Sequence, residues 1–218
     1  MTIRFDRIRS EDALAISEVY ARVFEGPPWF EIMKCVSCHE PYGRGDDLDR
    51  FRDGIPCRRC CEPLKLVTYW RGGDSLAVIE EAVRMGGFIG FLGRADDSII
   101  AFSWGFRLPA TDTHAVMFSK VFDSFGQLGY DPKRIFCLSE IGVLPEQQEK
   151  GIGTSLLETT LRTVSSHGFT HMTYRTIHEG LIHISKKLAG ESEFVAIFKD
   201  PDPVKSDRQW YIFPVQGK

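Results

Sequence analysis

The chain has 218 residues, of which 43% are hydrophobic and 26% charged, with a formal net charge of −3. That length exceeds one common domain without filling two, so one domain carrying an insertion is expected, large enough to fold around its own core. The near-balanced charge, without a long block of like charges, argues against a nucleic-acid partner, and no apolar run reaches the length that spans a bilayer.

The opening MTIRFDRIRSEDALAISEVY lacks the charged, apolar and small-residue order of a secretory signal, so a cytoplasmic protein is expected. Residues 2–8 alternate as a strand. Ser10 is expected to cap a helix running to about Phe24, with Glu11 and Asp12 in its first turn and Gly26, Pro27 and Pro28 at its end. Residues 30–66 change character, with paired cysteines, several glycines and few large apolar side chains, and read as a loop-rich inserted module whose core is not hydrophobic. Asp74 or Ser75 then starts a short helix closed by Gly86 and Gly87, and FIGFLGRADDSIIAFSWGFRL reads as a hairpin turning at Asp96, Asp97 and Ser98.

A helical insertion is expected within 109–132, where Val116, Phe118, Val121, Phe122 and Phe125 recur at near-helical spacing. After it come the strand RIFCLSEIGVLP, an amphipathic helix GIGTSLLETTLRTVSSHG closed by Gly168, the strand HMTYRTI, and a helix GLIHISKKLAG with Lys186 and Lys187 near its end. Two closing strands, EFVAIF and QWYIFPV, flank a turn-rich DPDPVKSD. Strands alternating with helices in this way predict an α/β layered domain. One internal echo stands out, CVSCHEP against CRRCCEP.

The two halves of that echo carry Cys35-x-x-Cys38 and Cys57-x-x-Cys60, a spacing that lets four thiolates close a tetrahedral zinc shell. Such a shell leaves no position for water, so the Zn2+ is expected to be structural, holding a module that lacks apolar residues enough to fold alone. Free or disulfide-bonded cysteines are the weaker alternative, and His39 and Cys61, next to the knuckles, are substitute ligands that four cysteines do not need. Arg58 and Arg59 read as a solvated tip or as a contact for phosphate.

The strongest signal for function is the run from Val143 to Thr154, VLPEQQEKGIGT, between a strand and a well-patterned helix. Gly151 and Gly153 let the backbone turn tightly, so that N–H groups converge on an anion at the positive end of the helix, and Thr154 adds a hydroxyl. The run is neither a Walker A loop nor a dinucleotide fingerprint. Gln148-x-x-Gly151-x-Gly153 after such a strand resembles the acyl-CoA pyrophosphate motif of the GNAT N-acetyltransferases, and the order of elements resembles that fold over nearly the whole chain outside its two insertions.

The resemblance implies a mixed, mostly antiparallel central sheet flanked by helices, and transfer of an acetyl group from acetyl-CoA to a primary amine by direct attack. It implies that Ile141 and Val143 bond the pantetheine arm at a bulged strand, and that Gln148, Glu149, Lys150, Gly151, Ile152, Gly153 and Thr154 hold the pyrophosphate. Glu140, an acid in an apolar strand, is the candidate base, with pairing to Arg175 as the structural alternative. His178 falls where an asparagine often contacts CoA, and Ser185 where a tyrosine usually protonates the thiolate. Serine is a poor acid, so Tyr174 or solvent is a further candidate, while His183 reads as structural. The expected partner is a small-molecule amine or a protein or peptide amine, with no nucleic acid and no membrane; a homodimer and an acyl group larger than acetyl are left open. The alternative reading is a zinc-ribbon recognition protein that binds CoA without turnover.

Overall fold

The computed structural model describes residues 2–26, 29–43, 55–70, 73–108, 116–200 and 208–215, except for the side chains of 116–119. Pro27, Pro28 and most of DPDPVKSD therefore lie outside the described residues, as do 44–54 of the cysteine module and 109–115 of the segment before the third helix.

A seven-stranded sheet organises the chain in the order β1-β5-β6-β7-β8-β10-β9. Its strands are β1 (Ile3–Arg7), β5 (Ile89–Ala95), β6 (Ser98–Arg107), β7 (Ile135–Val143), β8 (His171–Thr176), β9 (Val195–Lys199) and β10 (Gln209–Pro214). Every neighbouring pair is antiparallel except β7 and β8, which run parallel, so the sheet is mixed and mostly antiparallel as expected. The helices are α1 (Ala13–Glu25), α2 (Asp74–Arg84), α3 (Val116–Gln127), α4 (Ile152–Ser166) and α5 (Glu179–Ala189). None is long and apolar enough to cross a membrane.

Neighbouring residues of one strand face opposite ways, which places the helices. Phe102 and Trp104 of β6 stack on Tyr20 of α1 at 5.5 and 5.6 Å, whereas Ser103 between them exchanges a buried 2.8 Å hydrogen bond with Thr160 of α4. Thus α1 and α4 cover opposite faces. The buried Val121 and Phe125 of α3 cluster with Phe106, in step with Phe102 and Trp104, so α3 shares the face of α1.

Two local readings are corrected. Ser10 does not cap α1: a single 3-10 turn, Ser10–Asp12, precedes it, and the Asp12 carboxylate accepts from the Arg9 N–H at 2.9 Å and from the Arg94 guanidinium at 3.1 Å. The cysteine module also has a small hydrophobic core, because Tyr42 and Leu64 are buried with Cys35 and Cys57. That module carries its own three-stranded sheet, ordered β3-β2-β4, from β2 (Met33–Cys35), β3 (Pro41–Tyr42) and β4 (Leu66–Thr68).

Candidate functional site

The site begins with an irregularity in β7. Trp104 pairs with Glu140 but Gly105 pairs with Leu138, so Ser139 is an extra residue and β7 bulges there. The partner strand meets the bulge with a glycine, because a Cβ on Gly105 would collide with the Cys137 carbonyl and the Phe136 ring. On the other side, β7 and β8 pair only at Ile135–His171, Phe136–Met172 and Cys137–Thr173. Beyond Cys137 the two strands separate, leaving the backbone of Leu138 to Val143 without a β8 partner.

A cleft of about 700 Å³ fills that separation. Tyr20 and Phe24 line it from the α1 face, while Gly153 and Leu181 line it from the α4 and α5 face, so the cleft passes through the sheet. Its far end is the turn before α4. Glu149 (φ 62°) and Gly151 (φ 78°) are left-handed there, the kind of backbone that gathers N–H groups into an anion cup. The first helical bond of α4 runs from the Ser155 N–H to the Gly151 carbonyl, so the N–H groups of Ile152, Gly153 and Thr154 have no helical partner. A side chain at Gly151 would meet nothing within 4 Å; its φ alone disfavours one.

Of the residues expected on the ligand, Ile141, Val143, Gln148, Glu149, Gly151, Ile152, Gly153, Thr154 and His178 line the cleft, as do Glu140 and Tyr174. Two do not present their side chains to it. Lys150 folds back, donating to the Glu146 carbonyl at 2.8 Å and to Gln147 Oε1 at 3.0 Å. Ser185 is fully buried and lies outside the cleft wall, where its hydroxyl bears on the Tyr174 phenol. Tyr174 does line the cleft; its hydroxyl lies 3.5 Å from the Leu181 carbonyl, and its pKa is raised chiefly by burial and lowered in part by Ser185. His178 caps α5, its Nδ1 accepting from the Leu181 N–H at 3.3 Å, and His183, read as structural, is found in the cleft wall.

Glu140 is half-buried and takes a hydrogen bond from the Tyr20 hydroxyl. Burial, then the charges of Glu140 and Glu31, hold the Tyr20 pKa well above its ordinary value, so the phenol remains a donor. Arg175, the residue weighed as a partner for Glu140, lies 2.7 Å from the buried Asp200 carboxylate. Sequence reasoning missed Tyr20, Trp29, Glu31, Tyr69 and Trp70, all in the cleft wall. Tyr20 sits in the apolar stripe of α1 and carries no signal to separate it from core. The acid and ring pair of Glu31 and Trp70, bonded at 3.1 Å, is 39 residues apart in sequence.

The second candidate centre is the cysteine cluster. Ligand atoms of Cys35, Cys38, Cys57 and Cys60 all lie within 4.8 Å of one another, with Cys35–Cys60 at 4.0 Å and Cys38–Cys57 at 3.6 Å. Four sulfurs bound to one zinc at about 2.3 Å stand about 3.8 Å apart, so the set fits that ion. The sequence echo is a structural repeat: the Cys35 N–H bonds the Glu40 carbonyl as Cys57 bonds Glu62, and the His39 N–H bonds the Cys35 carbonyl as Cys61 bonds Cys57. His39 (φ 60°) and Cys61 (φ 61°) hold the left-handed corner of each knuckle, which is why they follow the cysteines without joining them. Burial opposes ionisation of Cys57, yet donation from the Tyr42 hydroxyl and the N–H groups of Cys60 and Arg59 draws it down to about 6. At Cys60 the Glu62 N–H favours the thiolate, but burial and the three neighbouring sulfurs push it up to about 12. A divalent cation among the sulfurs removes that conflict.

No protein-family model matches this sequence, and no curated protein does. Solved structures do match its fold. The ribosomal-protein-S18-alanine N-acetyltransferase from Escherichia coli aligns with a TM-score of 0.54 at 11% identity, over all of this chain and 96% of its own. The PaiA N-acetyltransferase from Thermoplasma acidophilum, in complex with coenzyme A, gives 0.53 at 12% identity, over 98% and 99% of the two chains. An acetyltransferase of the GNAT family from Streptococcus pneumoniae gives 0.54 at 12% identity, over 99% and 100%. The chain therefore has the GNAT acetyltransferase fold.

Proposed function

We propose that this chain is an N-acetyltransferase that transfers the acetyl group of acetyl-CoA to a primary amine, and that its four cysteines hold a structural Zn2+. The observation that carries the reading is the separation of β7 from β8 beyond the Ser139 bulge, a through-sheet cleft that ends on an anion cup. The backbone of Ile141 and Val143, which β8 does not meet, would bond the pantetheine arm, and the N–H groups from Gly151 to Thr154 the pyrophosphate. Gln148 supports this cup: its amide donates to the Val143 carbonyl at 3.1 Å and ties the strand end to the turn.

Acetyl-CoA supplies an activated acyl group and a thiol leaving group. The acceptor arrives as an ammonium, so a proton must leave before its nitrogen can attack the thioester carbon. Glu140, fixed by the Tyr20 hydroxyl, takes that proton directly or through water. A backbone N–H of the bulged strand stabilises the carbonyl oxygen as charge builds on it. When the carbon–sulfur bond breaks, Tyr174, in the cleft wall, would return a proton to sulfur. A phenol carries its proton at neutral pH, and burial, which raises its pKa further, does not remove it. Aromatic rings line the cleft, with the Arg208 guanidinium 5.0 Å from the centre of the Trp29 ring.

The burial of Ser185 favours a second reading, a GNAT scaffold that holds CoA without turnover. Thiol release from acetyl-CoA across a panel of primary amines separates the two. Release with any amine, lost in Glu140→Gln, supports the enzyme; acetyl-CoA binding with no release across the panel supports the second reading.

A further inference from the structure

We propose, building on the acyltransferase reading, that Glu31 and Trp70 recognise the acceptor as an ammonium on an apolar body, and that metal on the four cysteines holds this pair in place.

The link between the two sites is a short antiparallel ribbon. In β2 and β4, Cys35 pairs with Leu66, Lys34 with Val67 and Met33 with Thr68. The same register continues past both strands: the Tyr69 N–H donates to the Ile32 carbonyl at 3.0 Å, and the next step brings Trp70 Nε1 to Glu31 Oε2 at 3.1 Å. One end of the ribbon is thus a metal knuckle and the other is the cleft wall, four residues or roughly 13 Å away. Lys34 fastens its middle, with its ammonium 2.7 Å from Asp74 of α2 and 5.4 Å from the Tyr69 ring centre. Loosening the knuckle removes a support of Glu31, whose N–H also donates to the Phe24 carbonyl of α1 at 2.9 Å, whereas the anion cup belongs to β7 and α4, which the ribbon does not build.

The chemistry of the wall defines the ligand. Glu31 and Glu140 both bear on the Tyr20 phenol, and the Trp70 ring adjoins those of Tyr20 and Tyr69 in the same wall. Carboxylates set among aromatic rings attract an organic cation and cover its apolar body.

The test titrates L-phenylalaninamide and 3-phenylpropanamide, which differ only in the ammonium, into the zinc-loaded chain with and without CoA, followed by tryptophan fluorescence and calorimetry. The expected result is that the amine binds and the neutral amide binds at least about tenfold more weakly. Glu31→Gln and removal of the metal by a chelator should each weaken the amine about tenfold while leaving CoA affinity unchanged. Lys34→Met, which releases the ribbon from α2 with the metal in place, should weaken the amine too, so the link stays testable if chelation unfolds the chain. Equal binding of the two probes, or binding of neither, overturns the assignment of the ligand. Unchanged amine affinity in Glu31→Gln overturns the role of that residue, and unchanged affinity in both the chelated chain and Lys34→Met overturns the link. The CoA titrations report separately, because failure to bind CoA overturns the acyltransferase reading while the comparison of probes still stands.

Discussion

The two candidate centres are built from opposite materials. The cysteine cluster is made of side chains: four thiols on two repeated knuckles, with Tyr42 donating to Cys57 Sγ at 3.3 Å. The cleft is made largely of backbone: a bulge, a place where two parallel strands stop pairing, and a turn with two left-handed residues. A side-chain site is written in residue identities at fixed spacing, whereas a backbone site needs only the order of elements and a few permissive residues. That difference explains how the chain keeps the GNAT fold over nearly its full length at 11 or 12% identity.

The largest effect should come at the cleft's acid. Glu140→Gln is expected to lower kcat by about a hundredfold or more, as loss of a general base does, with acetyl-CoA affinity retained. An equal loss of acetyl-CoA affinity would make Glu140 a structural residue instead. Removing the metal sharpens the comparison from the other side. Because the module's own apolar core is small, chelation should destabilise residues 33–42 and 55–68 by several kcal/mol while the main sheet stays folded, measurable by hydrogen exchange. Exchange that leaves the module as protected as before would show that the cysteines do not need a metal.

Tyr174→Phe is expected to slow turnover by about tenfold, less than loss of the base, because solvent can protonate a thiolate. Since burial raises this phenol above its ordinary pKa, the activity that depends on it is present at neutral pH and falls only as pH rises through the raised value. A pH–rate profile that gains activity at alkaline pH through Tyr174 would contradict its role as acid. Smallest is Tyr42→Phe, which removes the donor to Cys57 and the acceptor of the Arg58 N–H at 3.1 Å. It should cost about 1–3 kcal/mol in thermal unfolding and nothing in acetyl-CoA affinity.

How much of this was legible follows from the same contrast. The CxxC pairs named their own cluster, and the strand, turn and helix around Gly151 named the anion cup, because each is local in sequence. The bulge at Ser139 was implied only by family resemblance; nothing in CLSEIGV marks the extra residue without the register of β6 beside it. Tyr20 was hidden by its place among Ile16, Val19 and Val23, where a tyrosine looks like core. Glu31 and Trp70 were hidden by distance, since their pairing depends on a ribbon that closes only when the knuckles between them fold. The Ser10 hydroxyl suits a cap, but the Asp12 carboxylate holds this turn instead, with a partner in Arg94 that lies 82 residues away in sequence. Ser185 fell on the expected turn of α5, yet burial there is a property of packing that helical spacing does not reveal.

The most direct test of the central claim is calorimetric titration of acetyl-CoA into the full, metal-loaded chain and into Gly151→Glu. The substitution forces a side chain onto φ 78° and sets a carboxylate at the anion cup. Saturable one-to-one binding in the parent, weakened about a hundredfold or more in the variant, is the predicted result. No binding to a folded, metal-loaded parent, or binding that Gly151→Glu leaves intact, would contradict the account.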